Sequence, residues 1–215
     1  MARQSSVFHG LSKWSWQVVV ILAVLCNHAS GSQQPIKVVE LDYPPELAMI
    51  ERQQWGWVPP SISINEHQID RITIHHGGLD FPDDKDPLKY LLALQSWGRS
   101  DKGWMDIPYH FMIDRHGRVY ETRPINYPGD TNTTYDPAGH ALIAVMGDYE
   151  NQKMSESQMD ALIGITVFLF QEFDVPIENI KGHKDYADTT CPGEDIYRSL
   201  RDGSIHARVK AGLVD

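Results

Sequence analysis

The chain has 215 residues, 41% of them hydrophobic and 22% charged, which excludes low-complexity, collagen-like and coiled-coil architectures and leaves one domain with a sizeable core. Nineteen Lys and Arg against 29 Asp and Glu give a net charge of −10, which argues against nonspecific nucleic-acid binding and against docking on an anionic membrane. Two cysteines exclude a dense disulfide framework.

Residues 1–31 have the build of a secretory signal peptide. Arg3 and Lys13 lie in the first seventeen residues, which carry no acid, and residues 18–26 (VVVILAVLC) are unbroken apolar sequence. Nine apolar residues fall well short of the roughly 20 that span a bilayer. Ala29 and Gly31 supply small residues for cleavage near Gly31, and bulky Leu25 before Cys26 argues against lipidation. The expected product is exported, periplasmic or extracellular, without stable membrane insertion. It keeps Cys191 as its one cysteine, a thiol that must be either buried or held by a partner such as a metal.

Residues 32–60 read as an irregular lead-in, interrupted by Pro35, Pro44-Pro45 and Pro59-Pro60, with Trp55-Gly56-Trp57 expected to pack on the domain body. The domain itself is expected over residues 61–205, followed by a tail over 206–215. Residues 71–75 (RITIH) alternate as a strand that Gly77-Gly78 ends. Asp86-Pro87 caps a helix to about Trp97, with Leu88, Leu91, Leu92 and Leu94 near one face. Residues 109–113 and 118–122 flank a hairpin turn at Asp114-Arg115-His116-Gly117, and residues 142–146 form a central strand. Ser155 and Gln158 predict a capping box, with Met154 and Met159 as its hydrophobic staple, for a strongly apolar helix that Asp174-Val175-Pro176 stops. A last helix is expected from Glu194 to Arg201. The fold class is therefore α/β, a mixed central sheet with helices on both faces.

Ten histidines are an enrichment, and two clusters stand out. His75-His76 ends the first strand, where alternation turns only one of the two toward a given site. The second cluster runs from Gly182-His183-Lys184-Asp185 to Thr189-Thr190-Cys191-Pro192-Gly193. Imidazole and thiolate both suit Zn²⁺, and three protein ligands with an open fourth position are the pattern of a catalytic zinc site. A structural site would need a fourth ligand, and no convincing one is visible. His76, His110, His116 and His140 read as packed or solvated side chains. Asp185 is either an orienting partner for His183 or a loop cap.

Together these motifs resemble the zinc-dependent N-acetylmuramoyl-L-alanine amidases, which share their fold with peptidoglycan recognition proteins and phage amidase-type lysozymes. The resemblance runs from about Trp55 to Leu200. It rests on Trp55-Gly56-Trp57, on Ile72-Thr73-Ile74-His75-His76, on residues 103–111 (GWMDIPYHF), on residues 113–121 (IDRHGRVYE) and on the His183 to Cys191 loop. It implies zinc as cofactor, His75, His183 and Cys191 as its ligands, Tyr109 as a catalytic residue and Thr189 as an assistant to the transition state. It also implies the reaction, cleavage of the amide between N-acetylmuramic acid and L-alanine in peptidoglycan or muropeptides. Tyr109 is then the candidate for taking the proton of water, directly or through a second water. Gly77-Gly78 depart from the Thr or Ser followed by Ala found in many relatives. The lone Cys191 departs from the disulfide usual in vertebrate and insect recognition proteins, which fits a bacterial-style enzyme. A non-catalytic peptidoglycan sensor on the same scaffold is the alternative, and the presence of both Cys191 and Tyr109 favours the enzyme.

Overall fold

A computed structural model describes residues 36–62 and 64–213; the expected signal segment lies outside the described residues. Five strands form one sheet: β1 (Arg71–His76), β2 (Phe111–Ile113), β3 (Val119–Glu121), β4 (His140–Val145) and β5 (Ile180–Gly182). Their order is β3-β2-β4-β1-β5, parallel except for the β2–β3 hairpin. β1 lies between β4 and β5, and its Ile72 and Ile74 have no solvent exposure.

Strand alternation divides the core into two layers. On one face Ile72, Ile74, Phe111, Ile143 and Val145 pack on helices α2 (Glu156–Glu172), α3 (Glu194–Arg201) and α4 (Ser204–Ala211). On the other, Met112, Tyr120 and Ala144 pack with Leu91 of α1 (Pro87–Asp101) and with Trp55 of the lead-in. The mixed sheet with helices on both faces is therefore the observed architecture. The residues expected as a tail carry most of α4, whose Ile205 and Val209 are buried. Among the described residues no helix is long and apolar enough to cross a membrane.

Local chemistry explains several of these elements. Asp86 caps α1 by accepting from the N–H groups of Leu88 and Lys89, at 2.9 and 3.3 Å, with Pro87 in the first turn. The helix runs four residues past Trp97, and the expected leucine face is corrected. Leu91, Gln95 and Gly98 are buried, whereas Leu88 and Leu92 are 39% and 43% exposed. The buried face is set by Gln95, which donates to Asp106 Oδ1 at 2.8 Å, and by Gly98, against which the Trp104 ring packs closely. Trp57 donates its indole N–H to the same Asp106, and Trp55 donates to the Glu121 carbonyl, so the lead-in is pinned to the body.

The hairpin is organised by buried Asp114, which accepts from the His116 and Arg118 N–H groups, the Arg118 guanidinium and the Tyr120 hydroxyl. Gly117 takes φ +80° in this turn, and a Cβ there would sit 2.4 Å from the Ser157 carbonyl oxygen. The Ser155–Gln158 capping box forms as expected at the start of α2, and Asp174, at φ 50°, lies just beyond its end.

Candidate metal centre

Sheet register assembles the centre. β1 and β5 run parallel with Ile74 opposite Gly182, so the next residue of each chain path, His75 and His183, emerges side by side at the carboxyl ends of the strands. Their ring centroids are 4.5 Å apart. The third member arrives from the loop before α3. There Lys184 donates its N–H to the Cys191 carbonyl at 2.9 Å, and Cys191 Sγ lies 3.5 Å from His75 Nδ1. Gly193 makes this close return possible: its φ is +89°, and a Cβ would lie 2.4 Å from the carbonyl carbon of Tyr149. One donor atom from each of His75, His183 and Cys191 falls within a 4.8 Å cluster, and all three residues are buried.

The donor set fits zinc. Burial lowers His75 well below its ordinary pKa, with the neighbouring His183 adding to the effect, and lowers His183 to about 4. Both rings are therefore neutral near pH 7, the form that ligates a metal. Burial pushes the Cys191 thiol up to about 12, offset in part by the His76 N–H that donates to Sγ at 3.4 Å. A cation held among these atoms would supply the charge that makes the thiolate favourable. Among the described residues this is the one His, Cys, Asp and Glu cluster of metal-binding size, and it has three members, not the four of a closed structural site.

The cluster opens on a cleft of about 200 Å³ whose wall includes His76, Trp104, Tyr109, Asp130, Thr133 and Thr189. Tyr109 stands with its ring centroid 5.1 Å from His75, and burial raises its phenol well above the ordinary value. Thr189 accepts from the Cys191 N–H at 3.2 Å, so its hydroxyl lies against the ligand loop. All five residues singled out as candidates therefore meet in one place.

Four other histidines separate clearly. His110 is a buried strap, receiving the Leu142 N–H on Nδ1 and bonding the Tyr127 carbonyl through Nε2. His140 pairs with Thr73 Oγ1 at 2.7 Å, and His116 is exposed in the turn. His76 departs from the simple alternation argument. Because β1 ends there, both faces of the strand end reach the cleft, and the Tyr149 N–H holds His76 Nδ1 at 3.1 Å. Asp185 proves to be the loop cap: its two carboxylate oxygens accept from the Gly182 N–H and the Tyr197 hydroxyl. The groups that do reach the His75 and His183 imidazoles, Tyr135 and Thr133, carry no signal in the sequence.

The sequence model of the family described as N-acetylmuramoyl-L-alanine amidase matches residues 65–194. The chain belongs to this amidase family. Among curated relatives, peptidoglycan-recognition protein LB of Drosophila melanogaster is 24% identical over 156 residues, covering 71% of this chain and 67% of its own. Peptidoglycan recognition protein 1 of Mus musculus is 25% identical over 162 residues, covering 71% and 86%. Solved structures share the fold. Drosophila peptidoglycan recognition protein SD superposes with TM-score 0.65 at 24% identity, over 74% of this chain and 94% of that one. The endolysin amidase LysCS of Clostridium intestinale gives 0.55 at 24% identity, over 68% and 88%. The amidase fold is thus common to proteins named for recognition and to one named for hydrolysis.

Proposed function

We propose that the chain is an exported zinc amidase that cleaves the amide bond between N-acetylmuramic acid and L-alanine in peptidoglycan or its fragments. The observation that carries this reading is the three-donor cluster of His75, His183 and Cys191, open on a cleft whose wall holds Tyr109. Zinc bound there would supply Lewis-acid polarisation of the scissile carbonyl and activation of water.

The chain's own residues supply the rest. Tyr109, its phenol kept protonated by burial, serves as an O–H donor to the carbonyl oxygen as that oxygen gains charge, a role that suits it better than that of base. Thr189, bonded to the Cys191 N–H, holds the ligand loop and presents a second hydroxyl to the cleft. His76 keeps Nδ1 as an acceptor from Tyr149, which leaves the proton on Nε2 as a donor at the cleft wall. Trp104 adds an apolar face for substrate on the α1 side. Export rests on residues 1–31, with their basic start and short apolar run.

A peptidoglycan-binding module without hydrolysis is the second reading, favoured by the names of the curated relatives. Mass spectrometry of a defined muropeptide incubated with the purified protein separates the two. Free stem peptide that appears with zinc and disappears with chelator supports the amidase. Muropeptide that binds the zinc-loaded protein and stays intact establishes the binding module instead.

A further inference from the structure

An imidazole that ligates a metal through one nitrogen needs its other N–H fixed by an acceptor, which sets both tautomer and ring orientation. His75 directs Nδ1 toward Cys191 Sγ, and its Nε2 lies 3.4 Å from the Tyr135 hydroxyl. His183 has Nε2 2.8 Å from Thr133 Oγ1, which leaves Nδ1 as the nitrogen available to a cation. Both hydroxyls belong to one short segment between the hairpin and β4, and among the described residues no carboxylate fills either place. Asp185, the nearest acid in sequence to His183, is committed to Gly182 and Tyr197.

The segment is itself held in shape. Thr133 donates its N–H to Thr131 Oγ1 at 3.0 Å, and the two hydroxyls are 2.8 Å apart. With Thr133 donating its O–H to Thr131, its lone pairs face the His183 ring. The Tyr135 ring stacks on Tyr186 and packs against His183, with centroids 5.9 and 4.9 Å away. From this geometry we infer that Thr133 and Tyr135 are positioning residues for the metal centre, accepting the Nε2–H of His183 and of His75 and so committing both Nδ1 atoms to the cation. Neutral hydroxyls orient the rings without adding negative charge, so a site with one thiolate keeps the net positive charge of its cation, as polarisation of an amide requires.

This inference rests on the zinc reading, and one titration on the full-length protein tests both. The zinc dissociation constant is measured by competition with a chelating dye for wild type, Thr133→Val, Thr133→Ser and Tyr135→Phe. Melting curves of the metal-free proteins report folding. Valine keeps the shape of threonine and removes the acceptor, whereas serine keeps the acceptor and removes a methyl. The expected result is zinc binding weakened about 10- to 100-fold in Thr133→Val and close to wild type in Thr133→Ser. Tyr135→Phe, which keeps the stacked ring, should weaken zinc by a smaller factor, matching its longer 3.4 Å contact. Cobalt substitution should show an altered visible spectrum in Thr133→Val alone of the two Thr133 variants. Valine and serine variants that both bind like wild type, or a serine variant weaker than the valine one, would overturn the positioning role and leave the zinc site standing. Wild-type protein that binds no zinc would overturn both.

Discussion

Cys191 concentrates the chemistry of the site in one atom. It is the donor that becomes anionic once a cation binds, since burial alone keeps its thiol protonated; it sits 8% exposed, and its Sγ receives a backbone N–H and faces His75. Replacing it with serine should abolish stoichiometric zinc binding and hydrolysis together, checked by elemental analysis of the dialysed protein beside the muropeptide assay. Tyr109→Phe makes the contrasting case. The ring and its packing on His75 remain and only the hydroxyl goes, so zinc content should hold while kcat falls about 10²- to 10³-fold, the usual loss for one oxyanion donor. A fall in zinc content alongside kcat would show that Tyr109 supports the metal instead of the reaction. The meeting of His75, His183 and Cys191 was anticipated through the ordered family motifs, whereas strand alternation by itself left His75 and His76 open. Thr133 and Tyr135 were not anticipated: they lie 50 and 60 residues from their imidazole partners, in an irregular stretch where hydroxyl residues carry no spacing signal.

At the scale of elements, β1 to β4 and the helix caps followed from local chemistry, whereas β5, too short at Ile180–Gly182 to carry a pattern, and the burial of α1 did not. Its four leucines cover too wide an arc to choose a face, and the choice is made by contacts from outside the helix. Asp106 draws in Gln95, and Trp104 closes on Gly98. Leu91→Ala should therefore cost about 2–5 kcal/mol, while Leu92→Ala should stay within about 0.5 kcal/mol, both read from urea denaturation midpoints. Equal losses would mean that the leucine face reads as a whole after all. The hairpin offers a second check. Gly117→Ala combines a left-handed backbone with a Cβ driven onto the Ser157 carbonyl, so it should destabilise by more than the roughly 1 kcal/mol of a glycine replaced in open space. α4 escaped the sequence reading because it is short and polar, with Ile205 and Val209 as its buried contacts on α2 and α3.

For the whole molecule, the centre of the sheet is a place where imidazoles are kept neutral. Burial lowers His140 to about 4 and holds His110 well below its ordinary value. In the unfolded chain both titrate near 6.5. Between about 6.5 and 4 the unfolded chain takes up protons that the folded one refuses, so stability is full above about 6.5 and is lost as pH falls toward 4. Denaturation midpoints of the metal-free protein should therefore drop steadily over that window, and a midpoint that rises toward lower pH would contradict it. The same burial keeps His75 and His183 in the neutral form that a metal would need, and the parallel β1–β5 register sets them side by side. Fold and part of the site were legible together at this scale: the family's motif order places His75 near the end of β1, whereas β5, which brings His183 beside it, and the loop that carries Cys191 had no pattern of their own.

The most direct test of the account is X-ray absorption at the zinc edge on the loaded, full-length protein. A centre built from His75, His183 and Cys191 predicts one sulfur at about 2.3 Å with nitrogen or oxygen neighbours at about 2.0 Å, and loss of the sulfur shell in Cys191→Ser. A wild-type spectrum without sulfur, or one unchanged by that substitution, would contradict it.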